Sequence, residues 1–390
     1  MNLKYVSPES FKIAVLSLAD IGNYGDMFFP FIFRAELLRR FPNAKIDLIT
    51  NTEFACSLYE TNKYEFNKMS DYNAIILAGG ETIQRLDKEE WIDIYHKDFN
   101  GRPSDIVFEW LKQGGPYKAW FSVGVHPNMY NYREDMLFAL RGLNYLAVRG
   151  ELSKKIIETD IVLNYNNIRI VPDIGWLFSN YIDLLSANVS NQIIPASPYM
   201  VFQVLYEFDD ETLKYSAKTL LHFQNETKVK VVLLPIVHTK SRKEVSTWND
   251  HHALSKIFDY SGGLLTLMPD GLGIAETGIL LKCAKFFVGG SMHGAVTCLA
   301  YGKPGANILT WTAPKLQDLH GARMRTDCFV NNWGKLPGLL NGLDDEAGNE
   351  SDNKHALMYA DYMRYRLSVE IDNLCKEITA YNSRGDVLYA

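Results

Sequence analysis

His293 is the side chain in this sequence best suited to moving protons, and its neighbours suggest what it would act on. It stands in Phe287-Val-Gly-Gly-Ser-Met-His-Gly294, inside a segment running from Cys283 to Pro304. The segment reads as a buried strand over 285–288, a Gly289-Gly290 turn, and a helix that opens near Ser291 and ends at Gly302. The strand is aromatic and β-branched without alternation, as expected of a strand covered on both faces. A strand–glycine–helix turn presents backbone N–H groups at the positive end of a helix dipole, where anions bind. Gly290, Ser291 and Gly294 would line that place. An imidazole titrates near neutrality and can give or take a proton there. The plainer alternative is a histidine that only caps its helix.

Other candidates also follow apolar runs. Asn23, Gly25 and Asp26 lie in Gly22-Asn-Tyr-Gly-Asp26. The glycines permit close backbone approach. Asp26 either caps the next helix or, with Asn23, recognises sugar hydroxyls or orients a base. Glu81 follows Gly79-Gly80 and could accept a hydroxyl proton, or simply favour a helix start. Arg149 follows a strand, with a salt bridge to Glu151 or Asp173 as the alternative role. Asp173 follows Pro172, a pairing that also begins turns. His238 opens a polar loop over 239–252 that could cover a ligand. Glu276 lies before the helix that leads to Cys283, and Arg323 and Arg325 are a basic pair read as facing a ligand. Glu81 and Asp26 are the carboxylates that could share proton transfer with His293.

These residues need a scaffold that delivers strand ends to one place. Short apolar runs recur at 12–17, 45–49, 74–78, 119–123, 145–148 and 168–171, separated by helical or polar stretches. A Ser-, Asn- and Pro-rich stretch at 186–198 reads as a linker. The rhythm restarts at 199–205, 230–234, 263–267, 285–288 and 305–309. It predicts an α/β protein with two open parallel-sheet domains facing a cleft, over 1–190 and 191–345, and a C-terminal helical extension over 346–390. Residues 343–354 read as an exposed acidic stretch, and apolar spacing predicts a helix over about 354–381. In open parallel sheets, ligands sit beyond the strand carboxyl ends, and nearly all the candidates follow strands.

Composition excludes some classes. The 390 residues carry a net charge of −6 without a dense basic cluster, which argues against nucleic-acid binding. The five cysteines lack CxxC spacing, which argues against zinc and a disulfide framework and fits a reducing cytoplasm. Adjacent His251 and His252 point apart on a helix or strand and make a poor metal pair, so no metal and no cofactor are expected. Apolar runs stay below the 18–20 residues of a membrane span, so a soluble cytoplasmic protein is expected.

Taken in order, these pieces resemble the polysaccharide pyruvyl transferase family. Gly22-Asn-Tyr-Gly-Asp26, Gly79-Gly80, Val148-Arg-Gly-Glu-Leu-Ser153, Val171-Pro-Asp173, Leu233-Leu-Pro235 and the 283–304 segment carry the likeness, over about residues 12–310. The resemblance implies a GT-B-like fold of two Rossmann-like domains facing a cleft. It implies transfer of a pyruvyl ketal from phosphoenolpyruvate to a sugar of a cell-surface glycan. It also implies an acceptor against the N-terminal domain near Asn23, Asp26 and Glu81, and an anionic donor at the 289–294 turn. A lipid-linked acceptor would bring the protein to a membrane periphery, and the long C-terminal helix could pair two subunits. The family pattern has an arginine two residues before the motif histidine, and here that position is Ser291. A carboxylate or phosphate usually prefers a bidentate guanidinium. The departure keeps two alternatives open: glycosyl transfer from a nucleotide sugar, and a non-catalytic sugar-binding protein.

Overall fold

The computed structural model describes residues 11–17, 22–50, 70–83, 115–127, 133–161, 167–205, 208–238, 249–310 and 313–388. The chain divides into two compact units. The first holds residues 1–21, 26–174 and 364–390; the second holds 22–25 and 175–363.

The first unit is built on a six-stranded sheet of β1 (Lys12–Leu16), β2 (Lys45–Ile49), β3 (Ala74–Ala78), β4 (Tyr117–Val123), β5 (Tyr145–Val148) and β6 (Arg169–Ile170). The order is β2-β1-β3-β4-β5-β6 and every pairing is parallel. β3, β4 and β5 are buried at every position, which explains their unbroken apolar character. The second unit repeats the plan with β7 (Tyr199–Gln203), β8 (Lys230–Leu233), β9 (Thr266–Leu267), β10 (Phe287–Gly289), β11 (Gly305–Ile308) and β12 (Phe329–Val330). Its order is β12-β11-β10-β7-β8-β9, again all parallel. The fold is therefore α/β with two parallel-sheet units, as expected from the sequence.

Each sheet reverses its winding once. In the first unit this happens between β1 and β3, and in the second between β7 and β10. At such a switch point neighbouring crossovers leave on opposite faces, and a crevice opens beyond the strand carboxyl ends. The loop after β1, the Gly79-Gly80 turn and the Gly289-Gly290 turn all leave strands that border these two points.

Three helices of the second unit start where the sequence supplies a cap. Asp209 accepts from Thr212 N, Asn249 from His251 N, and Ser291 from Gly294 N. Several boundaries differ from the sequence expectation. The helix Phe178–Leu185 groups with the second unit, so the division falls at 174/175, ahead of the Ser/Asn/Pro stretch. Its Ile182 packs within 3.0 Å of where a Cβ on Gly278 would stand, and that packing outweighs the composition break. The stretch over 343–354 is helical at both ends: Leu336–Gly348 is one helix and Glu350–Leu388 another. The last helix thus begins four residues before the apolar periodicity does. Within it, residues 350–363 belong to the second unit and those from 364 onward to the first.

Candidate functional site

The carboxyl edge of the first sheet gathers five of the predicted residues. Gly79 and Gly80 both take left-handed backbone, φ 65° and 71°, so the chain turns sharply out of β3. The turn is stitched down by Thr82 Oγ1 donating to Gly79 O (2.7 Å) and by Gly124 N donating to Gly80 O (2.8 Å). Glu81 leaves this turn and meets Arg149, with Oε1 3.5 Å from Nη2. Asp173 reaches the other side of the same guanidinium, 3.6 Å from Nη1. It is set there by Ser122, whose Oγ donates to Pro172 O (2.9 Å). Ser122 has φ 57° at a register shift in the β4–β5 pairing, a conformation a serine adopts only when its surroundings impose it. The guanidinium lies flat on Gly124, where a Cβ would come within 2.5 Å of Cζ. Arg149 is thus buried between two carboxylates, both beyond good hydrogen-bond length. Its Nε has no hydrogen-bond partner among the described residues. Of the two ion partners named from sequence, Asp173 meets this guanidinium, and Glu81 joins it. Asp26 is buried in the first turn of the helix Tyr24–Arg40, where the helix dipole favours a carboxylate.

The second unit's edge is built around its switch point. β10 ends at Gly289, and any side chain there would strike Gln203 O at 2.6 Å. Ser291 is wholly occupied by structure. Its Oγ accepts from Gly294 N (3.2 Å), its N–H donates to Gln203 Oε1 (2.9 Å), and its carbonyl accepts from Asn307 Nδ2 (2.9 Å). Asn307 Nδ2 also donates to Gly289 O (2.9 Å), while its Oδ1 faces His320 Nε2 at 2.8 Å. Both amide hydrogens of Asn307 are used, so His320 must donate and its Nε2 carries the proton. Gln203 Nε2 donates in turn to Asp250 Oδ2 (2.8 Å), which also accepts from Ile236 N and Val237 N, each at 3.0 Å. Gln203, Asp250, Asn307 and His320 are all fully buried. Burial raises the Asp250 carboxyl to about 7 against the pull of its three donors, and burial lowers the His320 imidazole to about 3. None of these four residues was expected from sequence. The available signal was a polar residue at an apolar run, Gln203 closing Tyr-Met-Val-Phe-Gln and Asn307 interrupting Gly-Ala-Asn-Ile.

His293 lies two residues past Ser291 in the helix Met292–Ala300 and is 7% exposed. Its carbonyl accepts from Thr297 Oγ1 (2.7 Å), and Thr297 pairs with Tyr24 Oη at 3.2 Å. Its ring leans on Phe178 with centroids 6.1 Å apart. The other wall is backbone: a Cβ on Gly25 would lie 1.9 Å from His293 Nδ1. Only glycine permits this approach. The loop that carries Gly25 is pinned in place. Asn23 Oδ1 accepts from Gly25 N (3.1 Å), Tyr24 N donates to Ile236 O (3.1 Å), and His238 N donates to Gly22 O (2.6 Å). Asn23, Gly25, Gly290, Ser291, His293, Gly294 and His238 therefore share one edge of this unit.

His238 holds Asp270 Oδ1 at 2.8 Å on its Nδ1, and Asn249 Nδ2 donates to Asp270 Oδ2 (2.9 Å). The loop over 239–248 lies outside the described residues. Glu276 folds back over Gly273 in the first turn of the helix Ile274–Cys283. Arg323 and Arg325 are placed elsewhere. They precede β12, which runs parallel to its neighbours, so they lie toward strand amino ends. Arg325 is held by Asp327 and Glu346 (Nη2 3.1 and 2.9 Å). Among the described residues no group of His, Cys, Asp and Glu could hold a metal ion, and no helix is long and apolar enough to cross a membrane.

Solved structures of similar fold include UDP-GlcNAc 2-epimerases. The Neisseria meningitidis enzyme bound to UDP-GlcNAc has a TM-score of 0.59 at 10% identity, covering 94% of this chain and all of that one. The Methanocaldococcus jannaschii enzyme has 0.56 at 11% identity, covering 91% and 100%. At such identities the likeness establishes the fold, which is GT-B-like. No curated protein sequence matches significantly. The family model described as polysaccharide pyruvyl transferase matches residues 23–311, which takes in every residue of both strand edges described above except Gly22 and His320, and this chain belongs to that family.

Proposed function

We propose that this transferase moves a pyruvyl group from phosphoenolpyruvate onto two hydroxyls of a sugar, closing a ketal and releasing phosphate. The observation that carries the reading is the clasp on His293, an imidazole at the start of a buried helix, held between Phe178 and the Gly25 backbone at a switch point. In this reading His293 protonates the methylene carbon of the donor, whose anionic groups lie at the 289–294 turn. A carboxylate, Glu81 or Asp26, assists the attacking hydroxyl of the acceptor. Asn23 and Asp26, both within the 22–26 segment, help recognise the acceptor.

A second reading is glycosyl transfer from a nucleotide sugar. The observation behind it is Ser291, a helix cap at the position where the family has its arginine. Calorimetric titration with phosphoenolpyruvate and, in parallel, uridine diphosphate separates the two. Saturable phosphoenolpyruvate binding supports pyruvyl transfer; binding of the nucleotide alone overturns it.

A further inference from the structure

The chemistry proposed above removes two hydroxyl protons, one in each step. In the first step a hydroxyl oxygen bonds to C2 of the donor, C3 gains a proton, and one O–H bond breaks. In the second, the other hydroxyl oxygen bonds to C2, the C2–O bond to phosphate breaks, and a second O–H proton leaves, finally carried by the phosphate. Two O–H protons depart in turn, while His293 serves the carbon and one carboxylate serves one hydroxyl.

We infer that His238, oriented by Asp270, accepts the other hydroxyl proton; this rests on the pyruvyl transfer reading. Three observations carry it. The Nδ1 of His238 lies 2.8 Å from Asp270 Oδ1, and Asn249 holds the same carboxylate from its other oxygen. Interactions with Asn249 and His238 keep Asp270 below the usual carboxylate range, so it is ionised at neutral pH and Nδ1 must carry the proton. Gly271 N also approaches Nδ1, at 3.2 Å, but two N–H groups cannot bond each other, and the shorter contact to an anion decides the tautomer. The Nε2 is then the basic nitrogen. It is buried and has no hydrogen-bond partner among the described residues. A buried ring nitrogen left open while its partner nitrogen is fixed by a carboxylate matches the arrangement of a general base. Finally, His238 and His293 border the same short loop. His238 N donates to Gly22 O at one end, and Gly25 lies against the His293 ring at the other. Three Cα steps separate these glycines, at most about 11 Å of chain.

The test measures phosphate release from phosphoenolpyruvate with nitrophenyl hexopyranosides, whose 4- and 6-hydroxyls can close a six-membered ketal, across pH 5–9. Wild-type enzyme is expected to lose rate on acidification. His238→Gln is expected to lower kcat about 100-fold, keep KM within about threefold, and lose that acid limb. Asp270→Asn should lower kcat about tenfold or more, and added imidazole should partly restore His238→Gly. An unchanged kcat or an unchanged pH profile in His238→Gln, with wild type active, overturns the inference alone. A wild type inactive with every glycoside overturns the pyruvyl transfer reading, and the inference falls with it.

Discussion

At the scale of single residues, the contact between Gly25 and His293 makes the sharpest claim. A methyl group on Gly25 would occupy space now held by the imidazole, 1.9 Å from Nδ1. Gly25→Ala should therefore displace the ring and lower kcat on the order of 100-fold, while His293→Ala loses on the order of 100- to 10,000-fold. If both act on one event, the double variant should be no slower than His293→Ala. Steady-state kinetics of the three variants checks this, and additive losses would show that Gly25 serves something else. Arg149 makes a claim about stability. Its side chain is 4% exposed and stands between Glu81 and Asp173. Removing it leaves two carboxylates facing each other, and Arg149→Ala should cost about 3–5 kcal/mol in urea unfolding. Adding Glu81→Gln should recover a measurable part of that loss; no recovery would mean the ion pairs matter less than the guanidinium's packing on Gly124.

At the scale of elements, the polar set beneath the second glycine turn joins three strands and two helices. Asp250 and His320 both titrate within it, in opposite senses. The folded state holds the Asp250 proton up to about pH 7, whereas an unfolded aspartate releases it near pH 4. Stability from this group is full at low pH and declines as pH rises from about 4 to 7. His320 stays neutral to about pH 3, whereas an unfolded histidine gains its proton near 6.5. Its contribution is full above about 6.5 and declines as pH falls. Across about pH 4–6.5 the two slopes oppose, each near 1.4 kcal/mol per pH unit at most. Asp250→Asn preserves an acceptor for the three donors and should expose the histidine, so that stability falls steeply on acidification. His320→Gln should do the reverse. Urea midpoints over pH 4–7.5 read this out, and two variants with parallel profiles would contradict it. The same elements show what was legible in the sequence. β3, β4, β7 and β10 were visible because burial on both faces demands unbroken apolar residues. β12 is two residues long and carries no such signal, so Arg323 and Arg325 could not be placed at the amino ends. Gln203, Asn307, Asp250 and His320 meet only once four separate segments pack, and no local spacing links them. Gly79-Gly80 and Arg149 were legible because each follows an apolar run directly, and His293 because it stands at the helix start after the glycine turn that closes one.

At the scale of the molecule, two sheets with separate cores are served by one terminal helix. Its residues from 364 onward belong to the first unit, where Leu367, Ile371, Leu374 and Ile378 are fully buried. Arg40, 1% exposed, locks this part down: Nη1 bonds Glu36 at 2.6 Å and Nη2 bonds Ser368 O at 3.1 Å, while Nε meets Asp372. Tyr145 Oη donates to Glu370 (2.8 Å) and Tyr117 Oη to Glu377 (3.0 Å), so β4 and β5 are tied to the same helix. Four buried aliphatic side chains contribute roughly 6–12 kcal/mol of apolar burial, as much as a whole domain's net stability of about 5–15 kcal/mol. Ending the chain at Met363 should therefore abolish cooperative folding of the first unit and leave the second sheet intact. Scanning calorimetry of the truncated chain should show one transition with reduced enthalpy, and the fully buried Trp120 in β4 should lose its folded-state fluorescence. Arg40→Met tests the lock without removing the helix. It takes away one of the two arginines on the buried Glu36 carboxylate, Arg39 holding the other oxygen, so it should lower the first unit's transition by up to about 3–5 kcal/mol. A truncated chain that still melts with full enthalpy would mean that the first sheet closes its core without the terminal helix.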